Sequence, residues 1–178
     1  MITLHLLEKR TISTYYVKQA LIKRVTPLLQ AKRKITQEEL LLQVEQERLQ
    51  GESGELFVME FEKKRLRQRT DLELIKQISL YDVSAGYDIV SFNDETSSNL
   101  DRLIEVKTFS GKPHFHWSSN ESSIAKLKHA NYYLYLVSYE EMNNDGYSPI
   151  IIHDPIKYFE THSDWKFTID GYLVSKID

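Results

Sequence analysis

Gly86-Tyr87-Asp88-Ile89-Val90-Ser91-Phe92, a polar run from Asn93 to Asn99, and then Arg102-Leu103-Ile104-Glu105-Val106-Lys107 form the stretch from which the rest of the chain is read. Ile104 and Val106 alternate with Glu105 and Lys107. This is the period of a strand, so the acid and the base point to one face, about 6.6 Å apart. Asp88 stands at the mouth of a second strand, Ile89 to Phe92. The polar run between can turn the chain back so that the two strands pair and Asp88 lies beside Glu105. Two carboxylates brought together in a partly buried place repel by several kcal/mol and persist when a cation neutralises them. Oxygen ligands of this hardness suit Mg2+ or Mn2+.

The chain has 178 residues, 41% of them hydrophobic, which is enough for one good core plus an appendage. It has no cysteine, which excludes disulfides, thiolate metal sites and a cysteine nucleophile. The first ten residues carry an apolar run too short for a signal peptide, and no window approaches a membrane span, so a soluble cytoplasmic protein is expected. Net charge is only −3, but it is unevenly spread. Residues 1–50 hold nine Lys and Arg against five Asp and Glu, whereas residues 139–178 hold three against eight. Lys63, Lys64, Arg65, Arg67 and Arg69 form a basic run just upstream of the carboxylates, able to contact phosphates or to serve as a solvated helix face.

The first fifty residues read as helical. Ser13 can cap a segment through Tyr16, Ala20 and Leu21, and Thr26-Pro27 restarts a helix. Thr36 to Glu39 has capping-box spacing ahead of a face made by Leu40, Leu41, Val44 and Leu49, which is expected to end near Gly51. Ser53-Gly54-Glu55 then opens a second helix, to about residue 69, in which Glu55 and Glu62 fall near one face. Leu72 to Ser79 is expected to be the first strand, and Phe115 and Trp117 alternate with His114 and His116 in a further one. Ser118 or Ser119 caps a helix from about Asn120 to Ala130 with Ile124, Ala125 and Leu127 inward, and Tyr132 to Tyr139 returns as a strand. A strand-helix-strand crossover of this length makes a parallel pair. Ile150 to Ile152 forms a short strand, a short helix runs through Phe159, and Trp165 to Val174 is expected to be a hairpin extending the sheet. The histidine pair 114/116 has no third metal ligand spaced with it.

The order helix, three strands, helix, strand, carrying Asp88 and then Glu105-Val106-Lys107, resembles the PD-(D/E)xK nuclease superfamily. More narrowly, Gly-Tyr-Asp-Ile, Ile-Glu-Val-Lys-Thr, Ser-Asn-Glu opening a helix and Tyr-Tyr-Leu-Tyr-Leu-Val resemble the domains similar to the C-terminal part of the plant protein NO VEIN. The resemblance covers roughly residues 54–155, and Tyr87 stands where the superfamily motif is named for a proline. It implies an α/β fold with a restriction-endonuclease-like core in residues 53–178, a mixed central sheet flanked by helices. Residues 1–52 are then a helical extension for packing, homodimerisation, or contact with a partner or DNA.

The implied activity is Mg2+-dependent (or Mn2+-dependent) endonuclease cleavage of nucleic acid, DNA above all, in restriction or defence. Asp88, Glu105 and the Val106 carbonyl would hold the ion, and Lys107 would position water and stabilise charge. The superfamily's helix acid is assigned to Glu62, with Glu55 in reserve. Lys63, Lys64, Arg67 and Asn120 are the expected nucleic-acid contacts, on the side away from the acidic C-terminal part. The alternative is a non-catalytic nucleic-acid- or protein-binding module that retains the fold within a larger complex.

Overall fold

The computed structural model describes residues 36–168 in full and the backbone of residues 7–9 and 15–17. The chain divides into two compact units, residues 1–44 and 45–178. In the first, β1 (Leu7–Lys9) pairs antiparallel with β2 (Tyr15–Val17), with Glu8 opposite Tyr16. Strand pairing at Tyr16 replaces the helix expected to run through it from Ser13. The restart at Thr26-Pro27 lies outside the described residues.

Helix α1 (Gln37–Arg65) begins as its sequence requires. The Thr36 hydroxyl accepts from the Glu39 N–H at 3.1 Å while Glu39 accepts from the Thr36 N–H at 2.9 Å. It does not end at Gly51 or restart at Ser53, but is one helix of 29 residues. A helical glycine costs about 1 kcal/mol, which is too little to break a helix that gains packing beyond it. Gly54 is part of that gain. It lies so close to the strand Arg102–Phe109 that a Cβ there would collide with the Thr108 hydroxyl. Gly54, Val58 and Glu62 recur every fourth residue as the buried face.

The second unit holds a five-stranded sheet in the order β3-β4-β5-β6-β7, made by Lys76–Gln77, Ile89–Ser91, Arg102–Phe109, Tyr132–Ser138 and Ile150–His153. Only β5 and β6 are parallel, joined through α2 (Ser119–Lys128), while every other pair is antiparallel. β6 is buried along its whole length, as expected of an interior strand covered on both faces. Val58, Leu66, Ile89, Ile104, Val106, Tyr133, Tyr135 and Val137 form the core on the α1 side. Phe109, Leu134, Leu136 and Ile152 form a second core, against Tyr158 and Phe159 of α3 (Pro155–Thr161). Among the described residues no helix is long and apolar enough to cross a membrane.

Four local expectations are corrected. Leu72–Leu74 is a 3-10 turn and only Lys76 and Gln77 pair, because the Asp88 carbonyl accepts from both Ile78 and Ser79 and draws the chain into a turn. Residues 112–117 make no strand; Gly111 and Pro113 interrupt the alternation, and Phe115 and Trp117 each pack against the Phe159 ring. Leu127 is exposed although Ala125 is fully buried, since α2 is only ten residues long and turns one narrow stripe inward. Trp165–Thr168 is not a strand, and the rest of the expected hairpin lies outside the described residues.

Candidate active site

The β4/β5 register sets the site. Ile89 faces Ile104, so the preceding residue of β4's entry, Asp88, falls opposite Glu105. Two bonds lock it there: the Asp88 N–H donates to the Ile104 carbonyl at 2.8 Å, and the Val106 N–H donates to Asp88 Oδ2 at 2.8 Å. The N–H and C=O of one strand residue point to the same side, so the Val106 carbonyl is aimed at the same edge as Asp88. Gly86 makes the approach possible with φ of 74°, and a Cβ there would press on Ile124 of α2. Its carbonyl accepts from the buried Tyr132 hydroxyl at 2.8 Å.

Glu105 and Lys107 share the α2 face of the sheet. The Lys107 ammonium is 2.7 Å from Glu105 Oε1 and 2.8 Å from Glu121 Oε2. Glu121 also closes the capping box of α2, accepting from the Ser118 N–H at 3.1 Å while its own N–H donates to the Ser118 hydroxyl at 3.2 Å. Lys107 therefore ties the start of α2 to β5. Asp88, Glu105 and Glu121 line a cavity of about 130 Å³ with Ser79, Asp82, Tyr87 and Asn120. Asn120 holds the opposite rim by donating to the Ser84 carbonyl at 3.0 Å.

Burial, then the neighbouring Glu55 charge, pushes Asp88 up to about 7. Burial, then Asp88, pushes Glu105 up to about 8 despite the adjacent ammonium. For Lys107 burial works downward, but the two carboxylates outweigh it and hold the ammonium above its ordinary value. An acid whose folded value is raised destabilises the fold as pH rises from its unfolded value, near 4, through the folded one. The metal-free protein is thus expected to lose stability between about pH 4 and pH 8. The depressed carboxylates, Glu62 and Glu121 among them, lose their contribution only as pH falls below their ordinary value of 4.5, under the range of the melts below. Thermal melts in EDTA at pH 5, 6, 7 and 8 check this, and a melting temperature that stays level or climbs over that range contradicts it.

The helix acids separate. Glu62, fully buried, faces the other side of the sheet and does not line the cavity. Its oxygens accept from Arg65 at 2.9 and 2.6 Å, from the Ser91 hydroxyl at 2.7 Å and from the Tyr135 hydroxyl at 2.7 Å. Burial pushes Glu62 up and these partners more than reverse it. The expected place of Glu62 at the site is not met, whereas Glu55, held in reserve, accepts from Gln77 at 2.7 Å and from the cavity-lining Ser79 at 2.5 Å. Glu62→Gln is expected to cost about 2–4 kcal/mol by leaving Arg65 without its carboxylate. Urea denaturation at pH 7 measures it, and an unchanged midpoint would remove Glu62 from the core network.

The basic run is largely committed to structure. Lys63 pairs with Glu60 at 2.9 Å. Arg65 also donates to the Phe92 and Asn93 carbonyls, and Arg69 to Asp71 and the carbonyls of Asp94, Glu95 and Ser97. These bonds lie at the far end of β4 from Asp88. Lys64 and Arg67 are exposed. His114 and His116 are exposed on the loop. Sequence reading missed Glu121 as the second partner of Lys107, although the Ser118/Glu121 capping spacing marks it.

The donor chemistry fits a hard divalent cation. Asp88 Oδ1 and Glu105 Oε2 have no hydrogen-bond partner among the described residues, and both carboxyls resist ionising together. Among the described residues no three His, Asp or Glu side chains form a metal cluster on their own. An ion held here would complete its shell with carbonyl and water oxygens, the usual habit of Mg2+.

The family described as protein NO VEIN, C-terminal, matches residues 54–152. The chain belongs to this family. The NO VEIN C-terminal region takes in the second half of α1 from Gly54, the sheet as far as Ile152, and Glu55, Asp88, Glu105, Lys107 and Glu121. No curated protein and no solved structure matches the chain.

Proposed function

We propose that residues 53–178 are a metal-dependent endonuclease of PD-(D/E)xK type with a restriction-endonuclease-like core, acting in the cytoplasm on nucleic acid, DNA first, in restriction or defence. The observation that carries this is the convergence of Asp88, Glu105 and Lys107 at one site on the sheet, with Asp88 pushed up by burial and then Glu55, and Glu105 by burial and then Asp88. Asp88, Glu105 and the Val106 carbonyl are the groups that would hold Mg2+ or Mn2+. When bound, the ion supplies charge neutralisation at the scissile phosphate and acidifies water.

Lys107 keeps its proton at neutral pH, so it serves as a fixed positive donor for developing phosphate charge and not as the general base. Glu121 holds that ammonium in place from the α2 side. Glu55, through Ser79, orients the wall facing Asp88. Glu55→Gln is accordingly expected to lower cleavage by about tenfold or more with the melting temperature little changed. Parent-level cleavage in Glu55→Gln would leave it only the bonds to Gln77 and Ser79.

A non-catalytic binding module is favoured by one observation, the engagement of Lys107 by two carboxylates at once. Incubating the purified protein with plasmid, linear duplex, single-stranded DNA and RNA, with and without Mg2+ or Mn2+, separates the readings. Cleavage dependent on the ion supports the nuclease, and intact substrate in every lane supports the module.

A further inference from the structure

We propose that the aromatic cavity beside the carboxylates is a base-binding pocket. It takes one unstacked nucleobase of a single-stranded or locally opened nucleic acid, and this rests on the nucleic-acid reading above. The cavity is about 890 Å³, the size of a ligand pocket and far beyond a packing defect. Its rings gather around Phe159: Trp117 at 5.8 Å between centroids, Trp165 at 5.5 Å and Phe167 at 5.4 Å. Phe115 stands 6.1 Å from Trp165.

Phe115, Phe159 and Trp165 rest on the second core and are held by it, whereas Phe167 is 69% exposed. Rings held by a packed core with one exposed ring, Phe167, set edge-on against Phe159 offer faces on which a base can stack, since every base presents a π-face. His114, His116, Asp164 and Lys166 at the lining supply polar partners for base edges, with Lys166 the cation among them for phosphate.

Continuity with the carboxylate cavity identifies the occupant as a nucleotide. Residues 117–121 form a shared wall in which Trp117 and Ser119 face the aromatic cavity, and Ser118, Asn120 and Glu121 face the carboxylates. A base seated on the rings thus brings its own backbone to Asp88 and Glu105. Stacking also answers a difficulty of charge. The net charge is −3, and of the basic run Lys63, Arg65 and Arg69 are paired with acids while Lys64 and Arg67 stand exposed, so few phosphate contacts are on offer and attraction alone is a weak hold.

The test uses the full chain in EDTA, titrated with an eight-residue oligodeoxythymidylate and with an abasic strand of the same length. Binding is followed by fluorescence anisotropy of a dye on the strand. Both tryptophans of the chain line the cavity, so their emission reports it directly. Expected are quenching by the thymidine strand, none by the abasic strand, and about tenfold weaker binding in Phe167→Ala. Absence of binding, or binding with unchanged emission and no effect of Phe167→Ala, overturns the pocket. Failure of the nuclease reading looks different: quenching is retained while Mn2+ produces no cleavage.

Discussion

Asp88→Asn is expected to abolish cleavage, by about a thousandfold or more, while leaving the metal-free protein at least as stable as the parent. The activity loss follows from taking away one of two carboxylates able to hold a divalent ion at the scissile phosphate. The stability result has the opposite sign because Asp88 is a burden in the absence of a cation. Its carboxyl is pushed up first by burial and then by Glu55, and its charge in turn pushes up Glu105. Asparagine keeps an oxygen for the Val106 N–H that Asp88 now accepts at 2.8 Å, so the β4/β5 junction need not change. In EDTA at pH 8 the melting temperature should rise, by about 2–4 °C for each kcal/mol of relieved repulsion. Calorimetric titration with Mn2+ should show the parent binding and the variant binding far more weakly. Cleavage by Asp88→Asn at the parent's rate, or a parent that takes up no divalent ion even with DNA present, would defeat the proposed site.

Lys107→Ala should split the same properties the other way. Its ammonium touches Glu105 and Glu121, and Asp88 is close enough to feel its charge. Removing it leaves three poorly solvated carboxylates with no shared cation, a change of the kind that costs about 3–5 kcal/mol. Metal binding should survive and even tighten, since an ammonium is no ligand and no longer competes for Glu105. Mn2+ should therefore restore much of the lost melting temperature, whereas cleavage stays reduced by about a hundredfold or more for want of the fixed positive donor. Glu121→Gln added to Lys107→Ala should recover part of the metal-free stability, because the two sites are in contact and their effects do not add. If Lys107→Ala melts like the parent in EDTA, the ammonium is not what holds the acids together. If it cuts like the parent, it has no part in the chemistry.

What the sequence determined by itself is whatever depends on near neighbours along the chain. The alternation Ile104, Glu105, Val106, Lys107 puts acid and base on one strand face in any fold that makes that strand, and the return through Asn93 to Asn99 brings Asp88 opposite Glu105. The capping boxes at Thr36/Glu39 and Ser118/Glu121 likewise mark where two helices start, and the crossover length makes β5 and β6 parallel. Tertiary structure decided what depends on partners far away in sequence. Glu55 and Glu62 are equivalent on a helical wheel, but α1 presses Glu62 against Ser91 and Tyr135 on one sheet face and leaves Glu55 at the edge beside Ser79. Gly51 and Gly54 read locally as a break, yet the close seat of Gly54 on Thr108 carries the helix through. The alternating His and aromatic residues from His114 to Trp117 have the period of a strand. They became the wall of a cavity because Phe159 and Trp165, some forty to fifty residues further on, meet them as rings. Side-chain direction is a local property of the backbone, but its destination is set by which surfaces the folded chain brings together.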